Sequence, residues 1–300
     1  MRSWLLILLL PILLAGCAGS SRIDNLAAEY YNLGNSYFNQ EKYSQAATYY
    51  EKALKIDAGL LKASFNLSLA LIHLNRSAEA EILLQELLAE DAANISVLEI
   101  LAYNYHIQGK TEEAIELLEN VLEKSPESVS ARYNLGILLW EVDKKSEAAA
   151  AFTTILDYAP DDSRTLFNLG RLFFEMDRAM EAVSYLEEYL QIEPADVSAC
   201  LLLAKSYYAL KRYDKALEAY DLALSFEQDL AEAWFERAQI LLTEVEDPEL
   251  GLLSLSLALE AGFEDMEAIA DLLDFTNLLE RDRVTDLLES KNLAPDSSGE

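Results

Sequence analysis

Cysteine, histidine and positive charge are scarce in this chain, and each scarcity excludes something. Two cysteines, Cys17 and Cys200, in 300 residues leave no disulfide framework. Two histidines, His73 and His106, with no Cys/His cluster at ligand spacing, leave no metal centre to expect. HExxH, GxSxG, GxGxxG and P-loop patterns are all missing, so the chain reads as a non-enzyme with no cofactor. Lysine and arginine number 23 against 53 acidic residues, a formal charge of −30. Such a surface repels nucleic-acid phosphates and anionic lipid headgroups alike, which excludes nucleic acid as a partner. The charge is uneven: 231–300 holds eighteen acidic and four basic residues, whereas 197–230 holds five and four. Most of this acidity is explained by a solvated face that keeps the chain soluble; attraction of a basic partner is the other reading. No Pro/Gly/Ser-rich linker and no strand alternation interrupts the chain. With 52% hydrophobic residues it can bury a long core, so disorder is excluded.

What is present is a period. Six units of 34 residues run without insertion from Ala27 to Leu230, starting at Ala27, Leu61, Ile95, Val129, Ser163 and Val197. Position seven is Leu33, Leu67, Leu101, Leu135, Leu169 and Leu203; position eight is always small; position twenty is alanine six times, from Ala46 to Ala216. Each unit carries two helical stripes. In the fourth, Ala131, Leu135, Leu138 and Leu139 form the first, the stretch 141–145 turns the chain, and Ala148, Ala151, Phe152, Ile155 and Leu156 form the second. Asp161 and Ser163 offer N-cap chemistry for the next helix, behind Pro160. The small residues let the two helices of a hairpin approach closely. A fixed period of this length means a stacked array, whose extended surface suits binding better than catalysis.

These residues resemble the tetratricopeptide repeat: Tyr30, Leu33, Gly34, Tyr37, Ala46, Tyr50 and Ala53 in the first unit, with Pro126, Pro160 and Pro194 near the ends of later ones. The resemblance implies an all-α fold, a right-handed superhelical solenoid of about seven helix-turn-helix units. The repeats are 27–60, 61–94, 95–128, 129–162, 163–196, 197–230 and a looser 231–265, in which Gly251, Leu255 and Ala258 fall one residue late. Residues 266–290 read as capping helices and 291–300 as a frayed tail.

The first residues are a different object. Arg2 precedes an apolar run, Trp4–Leu14, broken only by Pro11. It is far shorter than the roughly twenty residues a spanning helix needs. Leu14, Ala15, Gly16 and Cys17 resemble the bacterial lipobox. That resemblance implies removal of 1–16, acylation of Cys17, a tether over 17–26 and anchorage in the lipid bilayer of a bacterial cell envelope, with Ala18 pointing to the outer membrane by the enteric rule. A plain signal peptide with a chance cysteine is the alternative. Two or more acyl chains hold a protein stably, where one does so only reversibly. Cys200 then has no partner and reads as a packed free thiol.

In tetratricopeptide arrays the first helix of each unit lines the concave surface. Position six carries Asn32, Asn66, Asn134 and Asn168. Asparagine is a poor interior helix former, and its amide can both donate to and accept from an extended peptide backbone. The row resembles the asparagine ladder of peptide-gripping family members; bonds between repeats or to water are the competing reading. Position five adds Tyr31, Phe65, Tyr133 and Phe167, as groove walls or as core, and position twelve adds Trp140. Arg164, Arg171 and Lys205, with Arg132 nearby, form a basic-amide cluster that partly resembles a carboxylate clamp. Glu99 and Tyr103 depart from the clamp pattern, and pairing with neighbouring glutamates competes with it. The expected function is a lipid-anchored scaffold gripping a partner's extended segment. Its partners are other envelope proteins: similar lipoproteins serve as pilotins, cell-wall hydrolase scaffolds or outer-membrane assembly parts. The second reading is an accessory that binds a small ligand or lipid for a transport system.

Overall fold

The computed structural model describes residues 25–275 and 278–291; Cys17, the leader, the start of the tether and the tail beyond 291 lie outside the described residues. Two compact bodies divide the chain, one within Met1–Lys144 and one within Lys145–Glu300. The first holds α1 (25–38), α2 (Tyr43–Ile56), α3 (Leu61–His73), α4 (Ser77–Glu90), α5 (Ile95–Ile107), α6 (Thr111–Lys124) and α7 (Val129–Glu141). The second holds α8 (Lys145–Tyr158), α9 (Ser163–Glu175), α10 (Ala179–Ile192), α11 (Val197–Ala209), α12 (Tyr213–Phe226), α13 (Ala231–Thr243), α14 (Pro248–Glu260), α15 (Met266–Phe275) and α16 (Leu278–Ser290). Among the described residues there is no strand, as the all-α reading expects. Within each body consecutive helices pack in sequence from α2 to α7 and from α8 to α14, and the first helices of neighbouring repeats also touch: α3 with α5, α5 with α7, α9 with α11.

The invariant small positions do the steric work expected of them. All six alanines at position twenty are fully buried. A Cβ on Gly34 would stand 2.4 Å from the Tyr50 ring, and one on Gly170 would stand 2.7 Å from Cγ of Leu186. Positions eight and twenty-four therefore meet across these two hairpins, so a large residue at the second requires a small one at the first. Position seven is buried from Leu67 to Leu203, but Leu33 is 43% exposed. Leu33 sits on α1, which has no preceding second helix among the described residues to cover it.

The turns have their own period. Glu41, Asn75, Gly109 and Asp143 in the first body, and Asp177 and Lys211 in the second, all have φ between 56° and 76° and stand 34 residues apart. Each closes a first helix in the same way. After α5, the Lys110 N–H bonds to the Tyr105 carbonyl at 2.9 Å and the Gly109 N–H to that of His106 at 2.8 Å. This is the double bond pattern in which a left-handed residue satisfies the last helical carbonyls. The residue that follows is always basic (Lys42, Arg76, Lys110, Lys144, Arg178 and Arg212), where a cation complements the negative helix end. In the seventh repeat the left-handed residue is Glu246, one place late, matching the shifted register of α14.

The first helices from α5 to α11 begin with a side-chain cap, also in register: Asn94, Ser128, Asp162 and Asp196. The cap before α9 is thus Asp162, not Asp161 or Ser163, because only Asp162 reaches the Thr165 N–H, at 2.8 Å. Burial pushes the Asp162 carboxyl up. The Thr165 N–H and the Arg164 guanidinium outweigh this and hold it below the usual carboxylate value. A depressed folded pKa gives stability that is present above the ordinary carboxylate value and lost as pH falls through the folded one. Asp162→Ala is expected to cost about 1 kcal/mol at neutral pH. In urea melts that difference should narrow progressively below pH 4; a constant gap down to pH 2 would show that the charge contributes nothing.

The last repeat and the helices after it share one core. Phe235 stacks on Phe263 at 4.1 Å, and Ile269, Leu272, Val284 and Leu288 are buried beside Leu255 and Ala258. Ion pairs from Arg283 to Glu249 and from Lys291 to Glu260 tie α16 to α14.

Candidate binding surface of the first helices

The four position-six asparagines occupy different surroundings. Asn32 is exposed on α1. Asn66 donates to Oδ1 of Asn35 at 2.8 Å and to the Tyr31 hydroxyl at 3.4 Å, tying α3 to α1. The same Asn35 oxygen accepts from the Tyr50 hydroxyl at 2.8 Å, and burial pushes that phenol up to about 12. Asn134 is exposed on α7, while Asn168, in the second body, is only 8% exposed. One amide therefore bridges repeats, one is buried and two face solvent.

Of the position-five aromatics, Tyr31, Phe65, Tyr133 and Phe167 are half-buried and Phe235 is buried. Tyr31 packs 6.0 Å from Tyr50, and Phe167 lies 5.1 Å from Tyr189. Tyr31 and Phe65 also line a cleft, so one ring can serve both core and surface. Tyr133 and Trp140 are half-buried on α7.

The cations expected to meet a carboxylate have partners in the chain. Arg164 pairs with Asp162 at 3.1 Å, Lys205 pairs with Glu236 at 3.0 Å, and Arg171 lies 5.9 Å above the Phe167 ring. Glu236 also accepts from the buried Tyr220 hydroxyl at 2.7 Å, so it is fixed from two sides. In the first body Arg132 donates to the Pro126 carbonyl. Cys200 is a buried free thiol, and burial pushes its pKa up.

Two clefts open along the first helices of the first body. One, of about 460 Å³, is lined by Tyr31, Lys62, Phe65, Asn66, Glu90 and Asp91 among others. The second, of about 260 Å³, lies where α5, α6 and α7 meet. Ala102, Leu118, Ile137 and Leu138 give it apolar surface, and Glu99, Tyr103, His106, Asn134 and Glu141 give it polar groups. Glu99 accepts from the hydroxyls of Ser130 at 2.6 Å and Ser128 at 3.2 Å, which seats its carboxylate at the positive N-terminus of α7. Nε2 of His106 faces Glu141 at 3.3 Å. His73 stands elsewhere, stacked on Tyr43 at 4.1 Å. Among the described residues no group of three His, Cys, Asp or Glu side chains could hold a metal ion.

Of the expected groove residues, the structure brings Tyr31, Phe65 and Asn66 into one cleft and places Asn134 in the other. Sequence reasoning missed the acidic lining, Glu90, Asp91, Glu99 and Glu141. The available signal was Glu99 itself, which breaks the aromatic row at position five.

The description tetratricopeptide repeat matches residues 105–169 and 173–240, and a second family of the same description matches 27–59. No curated protein matches the chain. Among solved structures, a tetratricopeptide repeat protein from Parabacteroides merdae is similar at 20% identity, over 84% of this chain and 98% of that one, with a TM-score of 0.56. YrrB, described as a TPR protein with an unusual peptide-binding site, is 17% identical over 63% and 96%, with a TM-score of 0.57. MamA from Desulfovibrio magneticus is 18% identical over 56% and 94%, with a TM-score of 0.51. At these identities the likeness is one of fold. The family matches span half the chain and coincide with the helix hairpins described above, and the chain belongs to the tetratricopeptide-repeat family.

Proposed function

We propose that this chain is a protein-binding scaffold that holds an extended partner segment along its first helices, tethered to a bacterial envelope membrane through acylated Cys17. The observation that carries the binding role is the pair of clefts between successive first helices of the first body. They gather amides, rings and carboxylates beside apolar surface that is open to solvent. Asn134 is the clearest case: an exposed amide in mid-helix costs helix propensity and gains nothing in packing. The description of YrrB as a peptide-binding repeat protein supports the same use of the fold. Neither cleft is a closed cavity, which supports a threaded segment over an enclosed small ligand. A binding role with no catalytic step accords with the lack of any nucleophile–base signature.

A photo-crosslinker placed at Tyr103, 51% exposed beside Asn134, is expected to capture the partner from membranes. Asn134→Ala should then weaken that partner's binding about 2- to 10-fold, the worth of one neutral hydrogen bond. Capture only from a crosslinker on α16, with Asn134→Ala binding as tightly as the parent, would remove the groove reading.

A further inference from the structure

The cleft where α5, α6 and α7 meet is not electrically neutral, and the sign of its charge identifies a ligand. Its apolar surface comes from Ala102, Leu118 and Leu138. Ala102 stands at the small position eight and Leu118 at position twenty-four, where Tyr50 fills the first hairpin with a ring. Glu99 and Glu141 contribute two carboxylates. Glu99 is held in place by two serine hydroxyls at the α7 N-terminus, contacts that orient its carboxylate without supplying a cation. Glu141 faces His106. Among the described residues neither glutamate has a lysine or arginine partner. That contrasts with the second body, where Lys205 is matched to Glu236 and Arg164 to Asp162. Nδ1 of His106 is buried with no hydrogen-bond partner, a polar atom left over in a pocket wall.

We infer that this cleft receives a lysine or arginine side chain of the partner segment, its aliphatic stem against Ala102, Leu118 and Leu138 and its cationic head between Glu99 and Glu141. Long basic side chains carry an apolar stem and a charged tip, which is the pattern this cleft complements. A carboxylate here would meet the two glutamates at short range, and a purely apolar side chain would desolvate them without offering a hydrogen-bond donor. The cluster of Arg164, Arg171 and Lys205 belongs to the second body; in the first body the cleft carries the opposite sign and suits the basic partner that the acidic composition also allows. This inference rests on the groove reading given above and specifies its partner.

The test uses the full chain in mild detergent and four fluorescent, end-blocked decapeptides of alternating serine and leucine. They differ only at one central residue: arginine, lysine, norleucine or glutamate. Arginine and lysine peptides are expected to bind about tenfold or more tighter than norleucine, with glutamate weakest, and the preference should shrink with added salt. Glu99→Gln with Glu141→Gln should bring the arginine peptide to the norleucine level. Asn134→Lys, a tethered cation at the same cleft, should compete with the arginine peptide and weaken it at least as much. Both variants change exposed or half-exposed positions, and unchanged helical circular dichroism shows that they fold. Equal binding of all four peptides, or arginine binding untouched by both variants, overturns the inference. If Asn134→Ala weakens every peptide alike while charge makes no difference, the groove reading survives and only the cation inference falls. If charge preference persists but Asn134→Ala has no effect, the amide grip falls and the cation cleft stands.

Discussion

Leu186→Ala is expected to destabilise the second body by about 2–5 kcal/mol, the cost of removing a fully buried leucine whose neighbours collapse only in part. Leu186 sits in the core shared by α9 to α12, with Val183, Leu203, Ala216 and Tyr220. The informative experiment is the cycle with Gly170. Alone, Gly170→Ala drives a methyl to within 2.7 Å of the Leu186 side chain, including its branching carbon, which no rotation of the tip relieves. Overpacking of this kind costs about 1–3 kcal/mol, against a helix-propensity gain of about 1 kcal/mol. In the Leu186→Ala background the obstacle is gone, and the same Gly170→Ala change should become neutral or stabilising. Stabilities should be read from urea melts of each single and double variant. Repeat arrays unfold through neighbour interfaces, so the affected transition is the one to follow. Equal costs of Gly170→Ala in both backgrounds would mean that positions eight and twenty-four do not meet.

Cys17→Ser is expected to abolish lipid labelling and leave the precursor at full length, with the protein lost from the acylated membrane fraction. The effect is all or none because the thioether needs the thiol. Among the described residues no helix is long and apolar enough to cross a membrane. The strongly acidic composition offers no electrostatic attachment to anionic lipid either. Metabolic labelling with a radiolabelled fatty acid, together with the mass of the mature chain, decides the matter. Normal processing and labelling of the serine variant would refute the anchor.

The period was legible because stacking imposes identical steric demands at identical positions. Ala46, Ala80, Ala114, Ala148, Ala182 and Ala216 are one residue, and each is fully buried, where a larger side chain would overpack. The left-handed turn residues were much harder to see. Glu41 and Lys211 carry no conformational signature, and only Gly109 and Asn75, with the Asp143–Asp177 pair, hint that position fifteen bends the chain. The basic residue that always follows is plain only once the helix end beside it is known. The caps show the same limit: Asp161, Asp162 and Ser163 are all competent, and a single backbone N–H selects Asp162.

The candidate binding residues divided in the same way. Their positions followed from the repeat, but their state did not. Asn66 and Asn134 are the same residue at the same position, yet one is half-buried and bonded to Asn35 while the other is exposed. For Arg164 and Lys205 the sequence left a clamp and pairing within the chain both open, because their acids, Asp162 and Glu236, lie two residues and one repeat away. The sequence by itself determined the family, the hairpin and the buried lattice, since these depend on volume and periodicity, which recur every 34 residues. Only the tertiary structure decided which charges are neutralised and which are left open, because an ion pair is set by distances between side chains of different repeats. That is why a surface expected to be basic in one body pairs off its cations, while the other keeps Glu99 and Glu141 for a partner.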